Sequence, residues 1–276
     1  MRNTTQACIF SFLALALSSI SNASIIYNEP DKNRLNFSSE LFDIKCPALN
    51  NDKKIYLCAL KTMTRSQESA MHAQHDLIAL AKKNIEDAKY SLFATREITK
   101  IPNVEAIKYL FESAQNGFPV AQLRLGELFL HGEILKKDEK KSFLWIKIAA
   151  ENKNYEATIH LSRYYFSGTG TERNDSLGFY WLFKLYNDYG PLFDDWDLLG
   201  AAYEEGRGTP VDLSKAYMCY DLEGTAGNEE KARIAPQMTS EQRAQGLRLA
   251  REWQEKNHVY TMQSLGLSRQ KDGSYR

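Results

Sequence analysis

Residues 121–132, AQLRLGELFLHG, decide the fold, because their pattern returns twice further along the chain. Residues 161–168 and 199–206 repeat its order of Leu, a small residue, an aromatic residue and a final Gly. The final glycines are Gly132, Gly168 and Gly206. They lie 36 and 38 residues apart, and a period of this length is typical of helical repeats that stack on one another.

A second half of each unit follows the glycine. Six residues after it stands an Asp or Asn, which predicts the N-cap of a further helix. These caps are Asp138, Asn174 and Asp212. Seven residues after the caps come Trp145, Trp181 and Cys219, each three residues after a small residue. Each unit is therefore predicted to be a hairpin of an A helix and a B helix. We expect both tryptophans to pack in the core and Cys219 to be a buried, inert thiol.

Taken together, these positions resemble the Sel-one-like repeat family, which is related to the tetratricopeptide repeat. The family pattern is carried by Ala121, Leu125, Gly126, Gly132, Asp138, Trp145, Ala149 and Ala150, and again by Leu199, Gly200, Tyr203, Gly206, Gly208, Asp212, Lys215 and Ala216. The resemblance covers about residues 103–226, or three and a half units. It implies an all-α fold, an α/α solenoid of stacked helix-turn-helix units, and binding of other proteins. The residues themselves indicate no catalytic group and no cofactor site.

The repeats divide the chain into five predicted segments. Residues 1–23 have the features of a cleavable signal peptide, because Arg2 precedes an apolar run at 9–17 and a small-x-small site ends at Ala23. The predicted segments that follow are an N-terminal lead-in and helical cap at 24–102, the repeats at 103–226, a C-terminal helical cap at 227–256 and a polar tail at 257–276. A run of nine residues is too short to span a bilayer. We therefore expect a periplasmic protein that does not insert into a membrane once the signal is removed.

Export to an oxidising compartment permits disulfides. Cys46 and Cys58 lie twelve residues apart, on either side of a polar segment at 50–54 that we interpret as a turn. A bridge between them is expected, and two reduced thiols are the alternative that the sequence leaves open.

Charge indicates the kind of partner. The chain has 35 basic and 35 acidic residues, and a net charge of zero argues against nucleic acid as the main partner. Residues 190–226, however, hold eight acidic residues against two basic ones. A segregated charge of this kind favours a protein partner with a basic patch, and an ordinary solvated surface is the alternative.

Candidate partner-binding residues lie on the A helices, away from their packing faces, and in the acidic third unit. They are Arg124, Glu127, His131, His160, Arg163, Asp194, Asp195 and Glu205. No metal site is expected, because His72 and His75 lack a further strong ligand nearby.

Two classes of function remain. The first is a non-enzymatic periplasmic solenoid that acts as adaptor or inhibitor of one protein. The resemblance extends this to an immunity protein that neutralises a toxin delivered to the envelope, or to a regulatory or assembly factor for envelope machinery. The second is a hydrolase of β-lactam or cell-wall amides. Relatives that suggest this activity pair cysteines within their repeats, whereas here the repeats hold only Cys219. The sequence also offers no nucleophile with an activating base.

Overall fold

A computed structural model describes residues 52–62, 67–261 and 264–266, and in this part of the chain the regular structure is entirely helical. The helices are α1 (Asp52–Thr62), α2 (Gln67–Lys82), α3 (Glu86–Ala94), α4 (Arg96–Thr99), α5 (Asn103–Gln115), α6 (Pro119–His131), α7 (Glu139–Glu151), α8 (Tyr155–Ser167), α9 (Asp175–Tyr189), α10 (Trp196–Glu205), α11 (Leu213–Leu222), α12 (Asn228–Ile234) and α13 (Ser240–Asn257). The predicted all-α solenoid fold is confirmed. The predicted signal peptide at 1–23 and Cys46 lie outside the described residues.

The chain forms two compact units, which divide between Asn154 and Tyr155. Unit 1 contains α1 to α7, and its core includes fully buried leucines of α2, α3, α5 and α6. Unit 2 contains α8 to α13. In unit 2, α8 pairs with α9, α10 pairs with α11, and α13 packs along α11. The A helices are thus α6, α8 and α10, and the B helices are α7, α9 and α11.

The predicted N-caps are confirmed in all three repeats. The side chains of Asp138, Asn174 and Asp212 accept hydrogen bonds from the backbone N–H groups three residues further on, at 3.0, 2.9 and 3.0 Å. Each bond satisfies an N–H that would otherwise be unpaired at the helix start. The glycines that end the A helices have φ of +71° to +78°, which side chains of L-residues rarely tolerate. The repeat therefore fixes both ends of its inter-helix turn.

The expectation about Cys219 is confirmed, but the expectation that both tryptophans pack in the core needs correction. Cys219 is fully buried, as predicted, and its burial raises the pKa of the thiol. Trp145 and Trp181 are only half-buried. The ring of Trp145 meets Phe111 edge-on at 6.3 Å, and that of Trp181 meets Tyr180 at 5.6 Å. Both indole rings are therefore partly exposed, and fully buried positions of the repeats are held by other residues, such as Leu125 and Leu182.

The first described helix also differs from expectation. We interpreted residues 50–54 as a turn between two cysteines, but α1 begins at Asp52 and runs through Cys58. Cys58 is buried and disulfide-bonded, and its partner lies outside the described residues. The pairing of Cys46 with Cys58 stays a prediction. No helix within residues 52–62, 67–261 and 264–266 has the length and apolarity needed to cross a membrane.

Candidate protein-interaction surface

The three candidate residues of unit 1 lie on α6. Arg124 donates to Glu127 at 2.8 Å, one helical turn further on, and both side chains are partly exposed. His131 is exposed in the last turn of the same helix. The charge of this pair is neutralised within a single helix. It therefore offers a partner polar groups without a net charge.

In unit 2, Arg163 and Asp195 form an ion pair between two successive repeats. Arg163 of α8 donates to the carboxylate of Asp195, which directly precedes α10, at 2.8 Å. The side chain of Arg163 is 51% exposed, but that of Asp195 only 9%. Asp195 was predicted to bind a partner, and that stays a prediction, but its burial leaves little of the carboxylate for direct contact. Its carboxylate joins two successive repeats, because the chain folds it inward beside the arginine of the preceding A helix.

The environment of Asp195 is electrostatically unusual. Burial raises the pKa of its carboxyl to about 6, although the Arg163 guanidinium acts in the opposite direction. The neighbouring carboxylates of Asp194 and Asp197 raise it further. A charged group in low dielectric next to like charges favours its protonated form. The Asp195 carboxyl therefore keeps its proton to a higher pH than an ordinary aspartate does.

Asp194 is exposed but is held in place by an aromatic side chain. The Tyr155 hydroxyl donates to its carboxylate, and the Asp194 backbone N–H donates back to the same hydroxyl at 3.1 Å. Burial raises the pKa of the Tyr155 phenol, and the bond to Asp194 raises it further. The Tyr155 ring also meets Tyr189 edge-on at 4.9 Å. Asp194 is consequently a positioned acid.

The remaining candidates in unit 2 are His160 and Glu205. His160 is half-buried on α8, with its ring 6.4 Å from Tyr164. Glu205 is exposed at the end of α10, where its carboxylate lies 3.9 Å from Arg207. Arg207 itself is engaged in the structure, because its guanidinium stacks 4.3 Å above the Phe166 ring and donates to the Phe166 carbonyl. Each of these candidates thus has a contact within the fold, and Arg163, Asp194 and Glu205 are the exposed ones.

Other carboxylates of unit 2 have fixed cationic partners. Glu204 accepts from Arg233 of α12 and from the Tyr220 hydroxyl, and these bonds keep the pKa of Glu204 below its ordinary value. Asp221 is paired with the buried Lys231 at 2.8 Å. These acids are neutralised within the fold.

Two carboxylates, those of Asp197 and Glu230, act electrostatically on a third, that of Glu223, in a set that sequence reasoning did not assemble. Asp197, Glu223 and Glu230, here called the acidic cluster, come from α10, the end of α11 and α12. Burial raises the pKa of Glu223, and Asp197 and Glu230 raise it further. The Oε2 atom of Glu230 is buried without a hydrogen-bond partner among the described residues. The excess of acid at 190–226 pointed to the first two residues, but Glu230 lies in the segment that we assigned to the cap.

The acidic residues of unit 2 fall into two groups, those paired with a basic side chain and those of the acidic cluster. Asp195, Glu204 and Asp221 serve the fold, since each has a basic partner within unit 2. In the described part of unit 2, no basic side chain lies within 4 Å of a carboxylate of the acidic cluster. Close like charges repel one another, and a cation supplied by another molecule would relieve that repulsion. The arrangement favours recognition of a basic group.

Comparisons with known proteins agree with this architecture. A family model described as the Sel1 repeat matches residues 119–154, 156–187 and 198–222. A Sel1 repeat protein from Oxalobacter formigenes is similar in structure, with a TM-score of 0.58, 21% identity, and coverage of 79% of this chain and 91% of that one. A protective antigen present in uropathogenic Escherichia coli strains, displaying an SLR fold, is similar with a TM-score of 0.58 and 19% identity over 75% of this chain.

The match to the antigen spans 49% of that protein's length. At these identities the likeness establishes the fold alone. No curated protein matches the sequence significantly.

Proposed function

We propose that this chain, which carries three Sel1 repeats, is a non-enzymatic module that binds one protein partner through a basic patch on that partner. Sel1 repeats generally mediate protein–protein interaction, and their solenoids are typically interaction scaffolds. The acidic cluster of unit 2 is the observation that carries the proposal. Burial, and after it the neighbouring carboxylates of Asp197 and Glu230, raise the pKa of Glu223, and a basic group of a partner would offset the repulsion among these acids.

Two observations support export as the setting of this binding. The first 23 residues fit the signal-peptide pattern, and Cys58 is disulfide-bonded, which is typical of an oxidising compartment. Mass spectrometry of the mature protein should find Ser24 as its first residue. A mature protein that retains Met1 would exclude the periplasmic assignment.

Affinity capture with charge-reversed bait tests the binding proposal. The bait is the mature chain, cross-linked in an envelope extract of its native host, as wild type and as Asp197→Lys/Glu223→Lys. The matched control is Glu252→Lys/Glu255→Lys, which makes the same charge change at two exposed positions of α13. We expect one protein with a basic surface to be captured by wild type and control and lost from the cluster variant.

The identity of the captured protein then separates the roles within the proposal. A secreted toxin would assign the chain as an immunity protein, and an envelope component would assign it as a regulatory or assembly factor. Equal capture by all three baits would contradict the role of the acidic cluster. A partner retained by the cluster variant but lost on changing Arg124 or His160 would place binding on the A helices instead.

A further inference from the structure

The carboxylate of Asp195 has one cationic partner and two acidic neighbours. Arg163 of α8 donates to it at 2.8 Å, and only 9% of the Asp195 side chain is exposed. Asp194 and Asp197, one residue before it and two after it, act against a negative charge at this position. Burial and like charges both favour the neutral form of a carboxyl group, and the single guanidinium opposes them. The ionised form of Asp195 therefore depends on Arg163.

The other ionisable groups around Asp195 lie on α8 and at the start of α10. The Tyr155 hydroxyl of α8 donates to the Asp194 carboxylate, and burial raises the pKa of this phenol, so it keeps its proton. Asp194 and Asp197 are exposed. His160, one turn before Arg163 on α8, can also gain a proton in acid. Of the three carboxylates at the start of α10, only that of Asp195 is buried.

The protonation of Asp195 changes the charge that this region presents. When Asp195 is ionised, Arg163 neutralises it, and the carboxylates of Asp194 and Asp197 remain as two unbalanced charges. When Asp195 is protonated, the same guanidinium faces those two carboxylates, and the negative excess falls by one. Asp197 is also a member of the acidic cluster. The change in charge therefore occurs beside the surface that recognises a basic group in the proposed function.

We infer that the Arg163–Asp195 ion pair makes the binding of the basic partner sensitive to pH, with Asp195 as the group that takes up the proton. At neutral pH Asp195 neutralises Arg163, and the remaining carboxylates attract the partner. In acid the guanidinium is no longer neutralised by Asp195, so it repels a basic group and weakens binding. By linkage, the bound partner makes Asp195 harder to protonate. The inference rests on the proposed function, because it concerns the same partner.

Nuclear magnetic resonance tests the proton step without any partner. In the isotopically labelled mature chain, the Asp195 carboxyl carbon and the Arg163 Nε–H group are followed across the range from acid to neutral pH. We expect both signals to shift with a shared midpoint of about 6. Asp195→Asn should remove most of the pH dependence of the Arg163 signal. A wild-type Arg163 signal that stays constant between pH 5 and pH 7 would overturn the inference, and this measurement needs no variant to fold.

A basic peptide tests the coupling to binding. The probe is tetralysine amide, added to the same labelled protein, and its dissociation constant is measured from the backbone signals around Asp197. We expect binding on the order of fivefold weaker at pH 5 than at pH 7, as for the loss of one nearby charge. Asp195→Asn should bind at pH 7 as weakly as wild type does at pH 5. The control Glu255→Gln, which removes an exposed carboxylate of α13, should keep the pH dependence of wild type.

The outcomes separate this inference from the proposed function. His160 and Glu223 are present in every variant, so any pH dependence that persists in Asp195→Asn belongs to such groups. The inference is overturned if the peptide binds wild type equally at both pH values, or if Asp195→Asn keeps the full pH dependence. In both cases the acidic surface still recognises a basic group. A peptide that binds wild type at neither pH value would contradict the proposed function, and the inference with it.

Discussion

Helices α6 and α8 occupy the same place in successive repeats, yet they use their charges differently. Glu127 and Arg163 are equivalent positions in the repeat register. Glu127 pairs with Arg124 on its own helix, whereas Arg163 reaches the carboxylate of Asp195 in the next repeat. The first contact stabilises one helix by little, but the second holds two hairpins together. The repeat pattern thus determines the helical hairpins, and the charged residues that differ between repeats determine how tightly successive hairpins are held together.

The largest expected effect concerns contacts between repeats. Gly208 lies against α9, where a Cβ atom would stand 2.1 Å from the Asp175 carbonyl oxygen. Gly208→Ala should therefore destabilise unit 2 by about 3 kcal/mol or more. Gly168→Ala is the matched control within one repeat, since its Cβ atom would come no nearer than 3.3 Å to another atom. It should cost about 1–2 kcal/mol through its left-handed backbone alone.

Urea unfolding followed by tryptophan fluorescence measures both glycine variants, because three of the four tryptophans lie in unit 2. Equal losses for the two variants would mean that the close approach of Gly208 is relieved by movement of the turn. The turn that contains Gly208 would then stabilise the contacts between repeats no more than the contacts within its own hairpin.

A smaller effect tests the two ion pairs themselves. Arg163→Met should lower the free energy of unfolding by about 1–2 kcal/mol at pH 8, because it leaves the Asp195 carboxylate buried without its cation. Arg124→Met should cost about 0.5 kcal/mol or less, since Glu127 keeps its access to water. Adding Asp195→Asn to Arg163→Met should restore most of the loss. Without that recovery, the arginine would act through its hydrocarbon stem and not through its charge.

The smallest effect is a dependence on pH. The folded-state pKa of Asp195, about 6, is above its unfolded value, so the folded protein binds this proton more tightly. Its contribution to stability is therefore full at low pH and is lost as pH rises through 6. Between pH 5 and 7 the free energy of unfolding should fall by about 1 kcal/mol on this account. Urea midpoints at the two pH values should differ less in Asp195→Asn, and an unchanged difference would assign the titration to other groups.

Local sequence signals predicted the scaffold well. The caps at Asp138, Asn174 and Asp212 and the glycines before them act through neighbours a few residues away, so spacing alone identified them. The burial of Cys219 followed from the same register. Trp145 and Trp181 were placed at the right positions but too deep, because periodicity gives the direction of a side chain and not the thickness of the layer above it.

The candidate surface was harder to predict, because its chemistry depends on distant pairs. Asp195 is buried by its contact with Arg163, 32 residues earlier. The acidic cluster needs Glu230, which comes from a helix outside the repeat pattern. A helical cap was predicted at 227–256, but the spacing did not predict that its second helix, α13, lies along α11. A count of acidic residues could therefore predict the sign of the surface charge, but not which acidic residues remain available to a partner.

The most direct test of the account is the salt dependence of association with the captured partner. Stopped-flow measurements should show an association rate constant that falls at least tenfold between 50 and 300 mM salt, which is on the order expected for steered association. The Asp197→Lys/Glu223→Lys variant should associate more slowly and with a flatter salt dependence, and Glu252→Lys/Glu255→Lys should resemble wild type. An association rate that is insensitive to salt, or unchanged in the cluster variant, would contradict the claim that the unbalanced acids of unit 2 recognise a basic partner.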